Sequence, residues 1–302
     1  MEKTKIICVV GATASGKTAL GVELAKAVGG EIISADSMQV YKDMPIATAA
    51  ATEDEKQGVP HYLLEFLDSG DSFSVAEFVK LAKEKITDIA SRGKVPIIVG
   101  GTGLFVDSLV QNIEFADISA DESLRAELNG KSTDELYAML EKEDPTAAAN
   151  IHKNNRKRVI RALELAIGGT TKTEQNDKSR LADNPYDALY IGIGYKNRRT
   201  LYDRINRRVD IMIENGLVDE AKKMLSLTAT TAKQAIGHKE LSPYLSGEIS
   251  LDDATENIKR ATRRYAKRQL TWFRRNEKIN WLYADRSEEH TSELQSRFGI
   301  SY

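Results

Sequence analysis

The octapeptide GATASGKT, residues 11–18, constrains the fold of this chain more than any other segment. It follows the apolar and mostly β-branched run IICVV, residues 6–10, and it precedes a helical apolar pattern. A G-x-x-x-x-G-K-[ST] loop between a strand and a helix directs backbone N–H groups and the helix dipole at a bound anion. The segment therefore predicts a phosphate-binding loop. Its residues are Gly11, Ala12, Thr13, Ala14, Ser15, Gly16, Lys17 and Thr18, and the Thr18 hydroxyl is a candidate ligand for Mg²⁺.

Further apolar runs at 31–34 and 96–99 predict two more buried strands. Helical patterns at 17–28 and 75–92 lie between the three runs, and 189–193 predicts a later strand. This alternation is typical of a parallel sheet with crossover helices, in which ligands bind at the carboxyl ends of the strands. We therefore predict an α/β fold with a parallel sheet.

Between residues 115 and 185 the sequence shows only helical patterns and loops. We predict a core domain from residues 1–115 and 186–284, with a mainly helical insertion domain at 116–185. The ending DRSEEHTSELQSRFGISY is polar and has neither helical nor strand periodicity, so 285–302 is predicted to be a non-native or disordered tail.

The composition narrows the class of protein. No apolar run approaches the roughly 20 residues that a membrane helix needs, so we expect no membrane partner. Cys8 is the only cysteine, which excludes an intramolecular disulfide and a cysteine-rich zinc site. These features predict a cytoplasmic protein, and we expect it to act as a monomer.

Positive charge is concentrated in three segments, although the net charge is only -2. Lys153 to Arg161, Lys196 to Arg208 and Lys259 to Arg275 are rich in lysine and arginine, and the last contains eight basic residues and no acidic one. One such cluster is typical of a solvated helix face, but three favour a nucleic acid partner. The aromatic residues in the last segment are predicted to lie in the core: Tyr265, Trp272 and Phe273.

Polar residues also follow the second and third predicted strands. The segment ISADSMQVYK places Asp36, Ser37 and Gln39 at the edge of the sheet that carries the phosphate loop, and VGGTGLF places Thr102 there. By spacing alone, Asp36 could be a Mg²⁺ ligand, a helix cap or a general base.

These motifs, in order, carry a family resemblance. GATASGKT is followed by DSMQVYK, VPHYLLEF, FSVAEF, PIIVGGTGLF, DPTAAANIHKNNRKRVIRALE, QAIGHKEL and TRRYAKRQLTWFRR. The chain resembles the tRNA dimethylallyltransferases from residue 6 to about residue 283. The resemblance implies a P-loop kinase-like fold, dimethylallyl diphosphate in the loop, and transfer of the prenyl group to N6 of the adenosine just 3′ of the anticodon. Pyrophosphate is then the leaving group.

The resemblance also implies roles for individual residues. Asp36 is the general base, while Lys17, Thr102 and Thr18 with Mg²⁺ stabilise the departing diphosphate. The partners it implies are dimethylallyl diphosphate and the anticodon stem-loop of tRNA. The residues expected to contact tRNA are Asp36, Ser37, Met38, Gln39, Thr102, Arg125, Lys157, Arg158, Val159, Ile160 and Arg161.

The sequence departs from the family pattern at several positions. In IATAAAT, residues 46–52, the family typically has Gly-Thr-Ala-Lys-Pro, so Ala47, Ala50 and Ala51 remove a glycine, a positive charge and a rigid turn. If that lysine helps to bind RNA, affinity should be lower here. Phe105 and His238 stand where the family has tyrosine. The usual proline at Ala12 is also absent, which we expect to be harmless.

Two other functions compete with this interpretation. A P-loop kinase acting on a small metabolite would use Asp36 to deprotonate an alcohol that attacks ATP, but it leaves the basic clusters unexplained. A nucleotide-switched RNA-binding protein would explain the clusters but not Asp36 beside GGTGL. Release of pyrophosphate rather than ADP distinguishes the transferase from both.

Overall fold

The computed structural model describes residues 3–113, 115, 122–181, 184–226 and 232–285. The chain forms two compact units: one from the residues up to Leu109 together with those from Tyr186 onward, the other from Val110–Pro185. The predicted domain limits of 116 and 185 stay a prediction, because compactness alone does not show which part folds independently.

Six strands form one sheet in the first unit, in the order β3-β2-β4-β1-β5-β6, and every neighbouring pair is parallel. The predicted α/β fold with a parallel sheet is confirmed. The strands are β1 (Thr4–Gly11), β2 (Gly30–Ser34), β3 (His61–Tyr62), β4 (Val95–Gly100), β5 (Tyr186–Gly194) and β6 (Ile279–Tyr283).

Helices surround the sheet and build the second unit. The helix predicted at 17–28 has those bounds, and the one predicted at 75–92 ends one residue earlier. The described helices are α1 (Lys17–Val28), α2 (Pro45–Thr48), α3 (Glu53–Lys56), α4 (Val75–Ser91), α5 (Gly103–Val110), α6 (Glu122–Gly130), α7 (Thr133–Glu143), α8 (Pro145–Asn150), α9 (Arg156–Ile167), α10 (Lys172–Leu181), α11 (Arg198–Glu214), α12 (Leu217–Ser226), α13 (His238–Leu245) and α14 (Leu251–Phe273).

The connections of the sheet locate its ligand-binding crevice. From β1 the chain crosses past β4 to β2, whereas from β4 it continues to β5 on the other side of β1. The direction of winding therefore reverses between β1 and β4, and open parallel sheets bind ligands beyond the carboxyl ends of the strands at such a point. The phosphate loop follows β1 at this position.

The sheet core is apolar because its strands are covered by helices. Val9 on β1 and Ile97 on β4 pack with Val22 of α1, and all three are fully buried. Glu31 is a charged exception, since this carboxylate is buried near the start of β2. It accepts two hydrogen bonds from Arg92, at 2.7 and 2.6 Å, and one each from Lys94 and the Tyr62 hydroxyl.

The second unit has its own apolar core, in which Leu136 and Leu140 of α7 pack with Val159 and Leu163 of α9. The buried Asp144 begins α8 by accepting from the backbone N–H of Ala147 at 3.0 Å. A short α-helix is stabilised by such a cap because its first N–H groups lack partners within the helix.

Asp285, the first residue of the predicted tail, belongs to the folded part. Its carboxylate accepts from the backbone N–H groups of Lys196 and Asn197 at 2.9 and 2.7 Å, which ties the chain after β6 to the start of α11. The remainder of the predicted tail, 286–302, lies outside the described residues. Among the residues described, no helix is long and apolar enough to cross a membrane.

Candidate active site at the carboxyl edge of the sheet

The loop after β1 has the backbone conformation that anion binding requires. Gly11 has φ 151° and Gly16 has φ 98°, and a Cβ on Gly11 would overlap the carbonyl of Ile193. Ala14 is also left-handed, with φ 60°. Turns of this kind bring successive N–H groups to one side, where they bind an anion. Ser15 adds a buried hydroxyl that has no hydrogen-bond partner among the described residues.

Lys17 begins α1 and folds back over the loop, where its Nζ donates to the carbonyl of Ala12 at 2.6 Å. Burial lowers the pKa of Lys17 to about 8, while the nearby carboxylate of Asp36 opposes this shift and Arg208 adds to it. A bound anion would favour the charged amine and raise this pKa. The predicted diphosphate ligand therefore fits the electrostatics of Lys17.

Two arginines of α11 also reach the loop. Arg208 donates to Thr13 Oγ1 and to the carbonyl of Ala49, both at 3.4 Å, and Arg204 donates to the carbonyl of Ala14 at 3.0 Å. Burial lowers the pKa of Arg208 as well. Sequence reasoning missed both as loop residues because they lie in the basic segment assigned to RNA. Their i, i+4 spacing, which puts them on one helix face, was the available signal.

Asp36 lies just beyond β2 and is half-buried. Its Oδ1 accepts from the backbone N–H groups of Met38 and Gln39, at 3.0 and 3.4 Å. These bonds fix the direction of the carboxylate, as in an Asx-turn. The sequence left three roles open, and of these a helix cap is not what the structure shows, because Asp36 caps a turn and the next helix begins at Pro45. The carboxylate also interacts electrostatically with Lys17, and the roles of Mg²⁺ ligand and general base stay predictions.

Thr102 is fastened to the Asp36 loop from the neighbouring strand. Its backbone N–H donates to the carbonyl of Ala35 at 3.1 Å, and its Oγ1 accepts from the backbone N–H of Ser37 at 3.0 Å. The approach is this close because Gly100 has no side chain, since a Cβ there would overlap the backbone of Ala35. The loops after β2 and β4 therefore act as one structural element.

One face of α14 lies against these loops. Gln269 on this face contacts the loops after β1 and β4, Trp272 contacts α5, and Phe273 is buried as predicted. Tyr265 is only partly buried. Burial, followed by the charge of Asp36, raises the pKa of Tyr265. The prediction that the aromatic residues are core residues was therefore incomplete for Tyr265 and Trp272.

The donor set near the loop suits a magnesium ion that is held mainly by substrate. The described residues contain no cluster of three or more histidine, cysteine or acidic side chains able to hold a metal. Mg²⁺ commonly uses one or two protein oxygens together with water and substrate phosphates. The hydroxyl of Thr18, in the first turn of α1, is such an oxygen, and the predicted Mg²⁺ site stays a prediction.

Polar side chains hold the segment 46–52, in which the sequence departs from the family pattern. The carboxylate of Glu220 accepts from the backbone N–H groups of Ile46 and Ala47, at 2.8 and 2.9 Å, and pairs with His238 Nε2 at 2.9 Å. The amide of Gln39 donates to two carbonyls in the same segment. Ala50 and Ala51 are buried, so the departures alter a packed part of the chain.

The predicted RNA residues of the second unit differ in their environment. Arg125 and Arg161 both donate to the buried carboxylate of Glu164, at 2.6 to 3.0 Å. Lys157 and Arg158 are exposed on α9. The side chains of the other two members are buried in the core of the unit, and their contact with RNA stays a prediction: Val159 and Ile160.

Comparison with known proteins identifies the family. A family model described as IPP transferase matches residues 39–276. A tRNA dimethylallyltransferase from Caldanaerobacter subterraneus subsp. tengcongensis is 46% identical over 290 residues, covering 93% of this chain and 92% of that protein. The chain belongs to the tRNA dimethylallyltransferase family. The resemblance inferred from the motifs is thereby confirmed.

Solved structures of tRNA dimethylallyltransferases have the same fold. The tRNA isopentenylpyrophosphate transferase from Bacillus halodurans is 43% identical, with a TM-score of 0.72 over 99% of this chain and 96% of that one. A eukaryotic dimethylallyltransferase acting on tRNA is 30% identical, with a TM-score of 0.80 over 98% of this chain and 78% of that one. The roles of individual residues stay predictions.

Proposed function

We propose that this chain transfers the dimethylallyl group of dimethylallyl diphosphate to N6 of the adenosine just 3′ of the anticodon in tRNA, with release of pyrophosphate. Family membership supports prenyl transfer to tRNA as the class of reaction. The structural observation that carries the proposal is the meeting of Lys17, Asp36 and Thr102 beyond the ends of three neighbouring strands.

Asp36 acts as the general base in this reaction. The lone pair of an adenine amino group is delocalised into the ring, so N6 becomes an effective nucleophile only as it loses a proton. The N6–C1 bond forms while the C1–O bond to diphosphate breaks, and the N6 proton passes to the Asp36 carboxylate. The two backbone N–H groups that bind Oδ1 orient this carboxylate.

The phosphate loop stabilises the leaving group. The electron pair of the broken C1–O bond stays on the diphosphate, whose negative charge therefore grows in the transition state. Cations and N–H groups that are already in place are effective at this point because they need no reorganisation. Lys17, Arg204 and Arg208 supply positive charge, and the Thr102 hydroxyl supplies a further donor.

Thr18 would hold Mg²⁺ in this proposal, and the ion would add positive charge beside the diphosphate. The loop residues bind the same anion through backbone N–H groups and the dipole of α1.

The exposed Lys157 and Arg158, together with the half-exposed Arg161 and Arg125, would contact the phosphates of the anticodon stem-loop. The target base must leave its stack to reach Asp36, which costs least in a single-stranded loop. We propose that the chain acts as a monomer in the cytoplasm.

Mass analysis of tRNA after incubation with dimethylallyl diphosphate tests the proposal. We expect one adenosine next to the anticodon to gain the mass of a dimethylallyl group less that of the hydrogen it replaces, with pyrophosphate released in equal amount. Formation of ADP from ATP with an alcohol acceptor, and no change in tRNA mass, would instead support the kinase.

A further inference from the structure

Gln269 joins two loops of the candidate active site. Its Oε1 accepts from the backbone N–H of Thr13 at 2.8 Å, and its Nε2 donates to the carbonyl of Gly101 at 3.0 Å. Thr13 belongs to the phosphate loop after β1, and Gly101 precedes Thr102 after β4. A single carboxamide from α14 therefore bridges the loops of two adjacent strands.

The chemistry of the partners fixes the orientation of this carboxamide. A backbone N–H can only donate and a carbonyl can only accept, so the oxygen must face Thr13 and the nitrogen must face Gly101. Glutamine is suited to this position because it carries a donor and an acceptor in one rigid plane. Glutamate would lose the bond to Gly101, and an apolar side chain would lose both bonds.

The surroundings of Gln269 leave it little freedom. The residue is 5% exposed, and a Cβ on Gly101 would overlap its amide nitrogen. One turn earlier on α14, Tyr265 is partly buried on the same face of the helix. Further along the same face, Trp272 covers Gly103 and donates to Asp107 at 2.7 Å. Movement of the Gly101 loop is thus opposed by Gln269 and Trp272 from one face of the helix.

We infer that Gln269 is a positioning residue, which holds the diphosphate loop and Thr102 at the separation that transfer requires. The inference rests on the proposed function, in which the loop binds the diphosphate and Thr102 acts on the same leaving group. It also removes the Thr13 N–H from the predicted diphosphate contacts, because that group already donates to Gln269.

The consequence for catalysis is a loss of rate that exceeds the loss of affinity. Lys17 and most loop N–H groups remain when Gln269 is changed, so the ground-state diphosphate should still bind. A shift of about 1 Å between the reacting groups can lower a rate by about 10²-fold. We therefore expect single-turnover prenyl transfer to fall by about 10²-fold and diphosphate affinity to change much less.

Two variants test this, Gln269→Glu and Gln269→Met. The first keeps the acceptor for Thr13 and the second removes both bonds at similar side-chain length. Each is measured by the single-turnover rate of tRNA prenylation per active site, with the active fraction counted by dimethylallyl diphosphate binding. Glu31→Gln is the matched control, since it removes a buried polar interaction near the opposite end of β2.

The positioning role is supported if both variants have a reduced single-turnover rate of prenylation per active site while Glu31→Gln has a normal rate. A normal rate per active site in Gln269→Glu overturns it, even if fewer molecules fold, and that measurement remains decisive if Gln269→Met does not fold. If wild-type protein transfers no prenyl group in the same assay, the proposed function fails instead, so the two failures are distinguishable.

Discussion

The backbone N–H of Ser37 donates to Oγ1 of Thr102 at 3.0 Å, which joins the loop that carries the proposed base to the loop that faces the leaving group. The bond uses a lone pair of Thr102 and leaves its proton to donate. In this structure the hydroxyl donates to Ser37 Oγ at 3.4 Å, a long and weak hydrogen bond. Exchange of that weak bond for one to a diphosphate oxygen costs little.

Thr102→Ala and Thr102→Ser test whether transfer needs the hydroxyl of Thr102. We expect the alanine variant to lower the single-turnover rate about 10²-fold, as for loss of one preorganised donor. The serine variant keeps the hydroxyl and should stay within a few-fold of wild type. Diphosphate affinity should change little in either. Equal rates in the two variants would remove the hydroxyl from the leaving-group role.

Asp36→Asn tests the general base without disturbing the turn. Asparagine keeps an Oδ1 acceptor for the N–H groups of Met38 and Gln39, so the loop should hold its conformation. Loss of a general base predicts a fall of about 10²–10⁴ in transfer rate, with dimethylallyl diphosphate binding nearly unchanged. Asp36→Ala should be at least as slow, because it also loses the turn. Turnover of the asparagine variant within a few-fold of wild type would exclude this role.

The parts of this site that the sequence predicts are those encoded by local pattern. The loop at 11–18, helix α1 and the strand before it follow from glycine spacing and apolar periodicity over fewer than thirty residues. Asp36 and Thr102 follow because parallel strands end at a common edge. The order of strands and helices along the chain is therefore enough to place the loop, Asp36 and Thr102 at one edge of the sheet.

The parts that it does not predict depend on contacts between distant segments. Gln269 lies 256 residues from Thr13, and Arg208 lies 195 residues from the same residue. Their roles depend on how α14 and α11 cross the loop, and helix periodicity does not specify a crossing. The sequence did show positive charge around Arg208, but charge alone does not distinguish an RNA phosphate from a diphosphate.

The cluster of Arg125, Arg161 and Glu164 contains one contact that the sequence could predict and one that it could not. Arg161 and Glu164 are three residues apart on α9, so their pairing could be expected from helix geometry. Arg125 comes from α6, 39 residues away, and its approach to Glu164 follows only from packing of the unit.

Lys17 makes diphosphate binding sensitive to pH. The pKa of Lys17, lowered by burial to about 8 in the free protein, should rise when an anion binds. Above about pH 8 the free protein loses this proton and binding must restore it, so affinity should fall by up to about tenfold per pH unit. A phosphate group is fully ionised in this range, since its last pKa is near 6. Equilibrium binding of dimethylallyl diphosphate between pH 7 and pH 9.5 measures the effect.

Lys17→Arg is the control, because arginine stays charged throughout this range. Its affinity, although altered by the different shape of the side chain, should be independent of pH above 8. A wild-type slope that persists in Lys17→Arg would assign the titration to another group.

Charge reversal on α9 tests the RNA path. Lys157→Glu with Arg158→Glu should weaken tRNA binding and reduce the slope of log K against log salt by about 0.7–0.9 for each phosphate that the protein no longer neutralises. Dimethylallyl diphosphate affinity should not change.

Arg161 is better left in place, since its replacement would remove one of the cations that pair with the buried Glu164. A double reversal at the exposed Lys80 and Lys142 matches the change in net charge. If both double variants give the wild-type slope, α9 is only a solvated face.

The Glu31→Gln substitution should make the free energy of unfolding vary less with pH in the acid range. Hydrogen bonds from Arg92, opposed by burial and reinforced by Lys94, lower the pKa of Glu31 from 4.5 to about 2. A carboxylate with a lowered pKa stabilises the fold above its unfolded value of 4.5, and that stabilisation is lost as pH falls towards 2. One pKa unit corresponds to about 1.4 kcal/mol, and because Arg92 and Lys94 are partly exposed we expect about 2 kcal/mol in all. Urea unfolding at several pH values should show a difference of this size between wild type and Glu31→Gln near pH 6, narrowing towards pH 2. A difference that is constant with pH would mean that Glu31 contributes through packing rather than charge.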